Sequence, residues 1–181
     1  MATVLTVAAE KCTGCRLCEL ACSVRNYGES NPVRARVYVV RDESEGLVGT
    51  VPVVCQQCVE PLCVELCPAT ALSRSDETGA VVVDTDRCLG CRTCVQVCPF
   101  GAPSVDRVLG AAQKCDLCDG DPTCVKFCPT GALTAVPEDE EALRLRRSRA
   151  EAYLEHLRDT GRADGAADAA PVGSGDEEVS R

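Results

Sequence analysis

The chain has 181 residues, of which sixteen are cysteine, with no tryptophan and a formal net charge of −9. That acidic balance, with no basic stripe to neutralise phosphates, excludes nucleic acid as an expected partner. No run of 18 apolar residues is present, so no transmembrane helix is expected, and MATVLTVAAEKC lacks the basic and apolar regions of a signal peptide.

In chain order, Thr3 to Ala8 (TVLTVA) is a β-branched run that reads as a strand. It leads into the first cysteine quartet, Cys12, Cys15, Cys18 and Cys22. A turn-rich connector follows, then VRARVYVVR (33–41) and a run from Val48 to Val54. Joined by DESEG (42–46), these two runs predict a β-hairpin. The second quartet is Cys55, Cys58, Cys63 and Cys67; AVVVD (80–84) is a short strand leading to the third, Cys88, Cys91, Cys94 and Cys98. Sixteen connecting residues precede the fourth, Cys115, Cys118, Cys124 and Cys128, and ALTAV (132–136) is a last strand.

After Pro137 the character changes. Glu138 to Asp159 is charged and free of glycine and proline, and it predicts a helix with Leu143, Ala150, Tyr153, Leu154 and Leu157 near one face. The commoner role for such a helix is packing on its own chain or lying in solvent; the alternative is docking to a partner subunit. His156, the sole histidine, is expected at its surface. Residues 161–181 have the composition of a disordered tail.

The quartets repeat. The first begins KCTGCRLC and the third RCLGCRTC; the second ends CVELCPATAL and the fourth CVKFCPTGAL. Two kinds of quartet thus alternate, and a duplication is the simplest account. All four end in C-x3-C. The first and third read C-x2-C-x2-C-x3-C, and the second and fourth lengthen the middle gap by two and three residues. In this spacing three thiolates wrap one [4Fe–4S] cube, while the fourth sits too far along and reaches another. Zinc sites usually use two C-x2-C pairs across a longer loop, often with histidine, and no histidine lies near a quartet. Disulfides are disfavoured in the cytoplasmic setting expected here.

The stretch from Cys55 to Pro99 resembles a complete two-cluster bacterial ferredoxin. Residues 3–136 as a whole resemble the four-cluster iron–sulfur subunits of molybdenum and tungsten oxidoreductases and hydrogenases. Within that group, NPVRARVYVV and VPVVCQQCVEPLC are most like the small subunit of tungsten aldehyde oxidoreductases. The resemblance implies an α+β fold of two ferredoxin-like (βαβ)2 modules, the second inserted in the first. Residues 1–30 and 110–136 form the split module, 31–109 the inserted hairpin and module, 137–160 the terminal helix and 161–181 the tail. It also implies a pairing: Cys55, Cys58 and Cys63 with Cys98; Cys88, Cys91 and Cys94 with Cys67; Cys12, Cys15 and Cys18 with Cys128; Cys115, Cys118 and Cys124 with Cys22. The alternating order alone also permits first with second and third with fourth.

The expected function is electron relay without catalysis, since no catalytic triad, phosphate loop or GxGxxG appears. The implied partners are a catalytic subunit carrying a tungsten or molybdenum pterin and a ferredoxin or flavin subunit. A free-standing polyferredoxin and a subunit of a membrane-linked complex are the alternatives. Lys11, Arg87 and Lys114 each precede the first cysteine of a quartet and are candidates for tuning cluster potentials.

Overall fold

The computed structural model describes residues 3–42 and 49–159. Its eight strands form four separate two-stranded antiparallel sheets rather than one continuous sheet, in a mixed α/β fold. The first strand, β1 (Thr3–Val7), pairs with the last, β8 (Leu133–Pro137), in the register Thr3↔Pro137 to Val7↔Leu133. Thr6 Oγ1 and Thr134 Oγ1 lie 2.7 Å apart across that ladder, a cross-strand pair of the kind that fixes register. Val4, Leu5 and Thr6 are all buried, so β1 is covered on both faces.

Helix α1 (Leu17–Tyr27) follows the first cysteine loop and ends at Gly28, whose φ of +69° turns the chain out of the helix. The expected hairpin forms from β2 (Tyr38–Asp42) and β3 (Gly49–Val53), paired Tyr38↔Val53 to Asp42↔Gly49. Only the second half of VRARVYVVR is strand. Pro32–Arg34 is a 3-10 turn capped by the Asn31 side chain, because proline at its first position presets a helical φ. Residues 43–46 of the expected DESEG turn lie outside the described residues.

The remaining elements are short. Helices α2 (Leu62–Glu65), α3 (Thr93–Gln96) and α4 (Thr123–Lys126) each have four residues and each carry the third cysteine of a quartet. Strands β4 (Leu72–Arg74) and β5 (Val81–Val83) form one small sheet. Strands β6 (Ser104–Val105) and β7 (Ala112–Gln113) form another, inside the stretch read from sequence only as a connector. Helix α1 packs on α4, and α2 on α3.

Two cores result, and cysteine is part of both. One gathers Leu5, Val37, Val39, Val54, Leu117 and Leu133 with Cys18, Cys22 and Cys124. The other gathers Leu72, Val81 and Ala112 with Cys94, and Cys63, Cys67 and Cys88 pack against it. Two-stranded sheets and one-turn helices are marginal on their own.

Helix α5 (Glu140–Asp159) lies across β1. Its inward face matches the expected one only in part: Ala150 and half-buried Tyr153 line the cleft against β1. Ala142 is buried, and Arg146 and Arg149 reach the carbonyl of Leu5 and the hydroxyl of Thr6, whereas Leu143 and Leu154 are exposed. The strand edge beneath offers oxygen acceptors, so guanidinium donors rather than leucines face it. The side chains of His156 and Leu157, and the tail from residue 160, lie outside the described residues. Among the described residues no helix is long and apolar enough to cross a membrane.

Candidate cofactor centre: four sets of cysteines

The cysteine loops are shaped by left-handed backbone at equivalent positions of the repeat. Gly14 and Gly90 have φ of +70° and +64°, and Arg16 and Arg92, two residues on, have 58° and 64°. In the other kind of quartet, Gln57 and Leu117 stand two residues after the first cysteine with φ of 48° and 62°. Three residues beyond the last cysteine of the second, third and fourth quartets, Thr70, Gly101 and Gly131 have φ of 46°, 60° and 65°. Non-glycine residues held there carry strain that the surrounding structure must sustain, and such strain gathers at functional sites. Backbone N–H groups, both from beside the quartets and from distant segments, reach the sulfurs. Arg36 N donates to Cys22 Sγ at 3.2 Å, Ala71 N to Cys67 Sγ at 3.3 Å, Ala112 N to Cys88 Sγ at 3.2 Å and Leu117 N to Cys115 Sγ at 3.4 Å.

The thiols gather into sets of four, each drawn from two quartets. Cys12, Cys15, Cys18 and Cys128 line one void; Cys22, Cys115, Cys118 and Cys124 line a second; Cys67, Cys88, Cys91 and Cys94 line a third. These voids hold similar atom-free space, about 310, 340 and 290 Å³ with their open mouths included. The remaining four also lie together, since Cys55, Cys58 and Cys98 all bear electrostatically on Cys63.

The sets follow one another in a row. Cys18 of the first acts on Cys124 of the second. Cys55 acts on Cys115, joining the second set to the Cys55–Cys98 set, and Cys63 acts on Cys94, joining that set to the last. Cys15 and Cys91, the two exposed cysteines, belong to the sets at opposite ends.

Burial and crowding make these thiols reluctant to ionise by themselves. Burial, followed by the neighbouring Glu19 carboxylate, pushes Cys18 up to about 12. Burial raises Cys22, Cys63 and Cys94 as well. Exposed Cys91 is lowered instead, by the hydroxyl and N–H of Thr93. A reactive thiol needs an electropositive, accessible setting, whereas a buried thiol becomes thiolate when it coordinates a metal.

The hairpin β2–β3 braces the row. Thr50 Oγ1 donates to the Cys12 carbonyl at 2.6 Å, Val39 N donates to buried Glu19 Oε1 at 2.6 Å, and the Tyr38 hydroxyl donates to the Gly101 carbonyl at 2.5 Å. At the seam between the inner sets, Gln57 Nε2 donates to the Cys115 carbonyl at 2.8 Å, and Val81 N donates to Gln57 Oε1 at 2.9 Å. No sequence signal marks Gln57 beyond its place after Cys55. Of the three cations that precede quartets, Lys11 and Arg87 are exposed and only Lys114 is buried.

The donor chemistry fits iron–sulfur cubes. Every set is all-thiol, and backbone N–H groups are aimed at sulfur. Among the described residues no three cysteine, histidine or carboxylate side chains converge on a point that one metal ion could occupy. Tetrahedral zinc, with Zn–S of about 2.3 Å, needs sulfurs about 3.8 Å apart. Thiols facing a void suit a larger group with its ligands at the outer corners.

Comparison with known proteins agrees. A family model described as a 4Fe-4S dicluster domain matches residues 47–138, and one described as a 4Fe-4S binding domain matches residues 9–27. The chain is 40% identical over 113 residues to the aliphatic sulfonate oxidoreductase, polyferredoxin-like subunit of Pyrococcus furiosus, covering 62% of this chain and 64% of that one. It is 40% identical over 115 residues to a tetrathionate reductase subunit of Archaeoglobus fulgidus, covering 63% and 54%. It thus spans little more than half to two thirds of the length of these relatives. Among solved structures, the active site complex BamBC of benzoyl coenzyme A reductase as isolated matches at 29% identity with a TM-score of 0.44, covering 92% of this chain and 95% of that one. The chain belongs to the 4Fe–4S dicluster domain family of iron–sulfur proteins.

Proposed function

We propose that the chain is a non-catalytic electron-transfer subunit holding four [4Fe–4S] clusters in a row. The first is on Cys12, Cys15, Cys18 and Cys128; the second on Cys22, Cys115, Cys118 and Cys124; the third on Cys55, Cys58, Cys63 and Cys98; the fourth on Cys67, Cys88, Cys91 and Cys94. The observation that carries this reading is the gathering of the thiols into sets of four, each drawn from two quartets. The pairing of β1 with β8 and of α1 with α4 supports a split outer module, residues 1–30 with 110–136, closing around an inserted one at 31–109.

Such a group, when bound, takes up and releases one electron with little change in shape. The chain's own residues do the rest. Cysteine thiolates fix the spacing of the row, backbone N–H groups stabilise negative sulfur, and Leu5, Val37, Val54 and Leu117 wall the second set with apolar surface. Exposed Cys15 and Cys91 mark the ends at which electrons arrive and leave.

The partner is a catalytic oxidoreductase subunit at one end, with a ferredoxin or flavin subunit at the other. The names of the relatives, subunits of an aliphatic sulfonate oxidoreductase and a tetrathionate reductase, support the first. A tungsten pterin enzyme acting on aldehydes is the finer reading, and it comes from the resemblance of NPVRARVYVV and VPVVCQQCVEPLC. Purified alone without air, the chain should bind about sixteen irons with matching sulfide and turn over no substrate. Iron near four per chain, or zinc in its place, refutes the reading.

A further inference from the structure

A buried lysine and a half-buried arginine flank the third set of cysteines, neither with a carboxylate within ion-pair distance among the described residues. Lys114 is 2% exposed; its Nζ donates to the Val81 carbonyl at 2.6 Å and the Cys115 carbonyl at 2.9 Å. Arg146, from α5, donates through Nη2 to the carbonyls of Leu5 at 3.3 Å and Gln56 at 3.2 Å. Its buried Nε finds no acceptor. Glu138 is the acid whose field reaches Arg146. Buried charges are ordinarily paired, because an unbalanced one loses its hydration without return.

The geometry points to the missing counter-charge: we propose that Lys114 and Arg146 hold the potential of the Cys55–Cys58–Cys63–Cys98 cluster above those of its neighbours, making it the resting place of an electron on the row. The inference rests on the cluster assignment proposed above. Gln56, which accepts from Arg146, sits between Cys55 and Cys58 in the chain. Val81, which accepts from Lys114, belongs to the core against which Cys63 packs. The fields agree with the contacts, since Lys114 favours the thiolate of Cys63 and Arg146 that of Cys58. Reduction adds one electron and makes or breaks no bond; a fixed positive charge nearby favours the reduced, more negative form.

The other sets lack this arrangement. Arg36 approaches Cys22 of the second set and its buried Nε also lacks an acceptor, but its charge is balanced, Nη1 being paired with Asp116 Oδ2 at 2.6 Å. The first set has a buried carboxylate, Glu19, beside Cys18. On Cys94 of the fourth, burial acts first and the charged side chains that bear on it are cysteines. Lys114 also lies against Cys115 of the second set, whereas Arg146 acts on the third alone. The two residues therefore differ in reach.

The test is a dithionite titration of the full cluster-loaded chain, with midpoints read by electron paramagnetic resonance. Arg146→Gln should move one of the four midpoints downward, by about tenfold in the reduction equilibrium or about 59 mV for one electron. Arg146→Lys should restore most of it, which a merely structural role would not do. Lys114→Met should move two midpoints. If that variant loses its clusters, the Arg146 pair decides alone. Sixteen irons with every midpoint unmoved in Arg146→Gln overturns the inference while leaving the cluster assignment standing. A wild-type chain with far fewer irons overturns both.

Discussion

Replacing Cys22 with alanine tests the pairing most sharply. Cys22 is buried on α1, and its sulfur accepts from Arg36 N at 3.2 Å and Asn26 Nδ2 at 3.5 Å. If it ligates the second cluster, its loss empties a void of about 340 Å³ lined by Leu5, Val37, Val54 and Leu117. With the group that fills that void gone, its apolar lining is left unpacked, at a cost on the order of the 2–5 kcal/mol of a large-to-small core substitution. A domain of this size has only about 5–15 kcal/mol of stability. Helix α1 carries both Cys18 and Cys22, and α4, on which it packs, carries Cys124 just before Cys128. The first and second clusters should therefore fail together. Iron should fall from about sixteen to about eight per chain, rather than to about twelve. Brief alkylation under native conditions, read by peptide mass spectrometry, should then label Cys12–Cys22 and Cys115–Cys128 and spare Cys55–Cys98. Labelling of the Cys55–Cys67 quartet alongside Cys12–Cys22, with Cys115–Cys128 protected, refutes the nested pairing and restores the sequential one.

Gly90→Ala should damage the fourth site. At φ +64° an added Cβ would stand 2.3 Å from the Gly110 carbonyl oxygen, a backbone atom, so the expected cost is about 2–5 kcal/mol, seen as a lower unfolding midpoint and lost iron. Gly110→Ala, whose Cβ would meet nothing within 4 Å, should cost only the left-handed strain of about 1–2 kcal/mol. Burial pushes the buried Asp106 carboxyl up, but the N–H groups of Leu109 and Val108 and the Arg34 guanidinium outweigh it and hold the group below the usual carboxylate range. A lowered folded value means that its stabilisation is complete above the unfolded pKa of about 3.9 and is lost as pH falls through the folded one. Asp106→Asn should therefore destabilise at neutral pH and flatten the acid side of a circular-dichroism stability profile. An unchanged acid slope contradicts this.

The cysteine quartets and their alternation were legible because metal chemistry fixes both residue type and spacing. The strands at residues 3–7, 49–53, 81–83 and 133–137 were legible from β-branched runs. Which fourth cysteine meets which loop was not. That depends on β1 finding β8 more than a hundred residues away, and local spacing carries no trace of such a pairing. The β6–β7 pair, two residues a strand, is too short to show a period. Gln57, Thr70 and Leu117 adopt left-handed backbone that their residue types do not announce; alignment of the repeats, placing Thr70 on Gly131, could have flagged Thr70, but nothing in the sequence flags the other two. The inward face of α5 is legible only in part: Ala150 and Tyr153 do turn toward β1, but Arg146 and Arg149 share that face because the surface beneath offers oxygens to arginine.

Pairing Thr3 with Pro137 has an architectural consequence. The polypeptide enters and leaves the cysteine-rich body at adjacent points, side by side on one ladder. Such a body is a cassette: sequence can be spliced onto either side without prying the row of thiols apart, and the whole can be set into a longer chain as an insert.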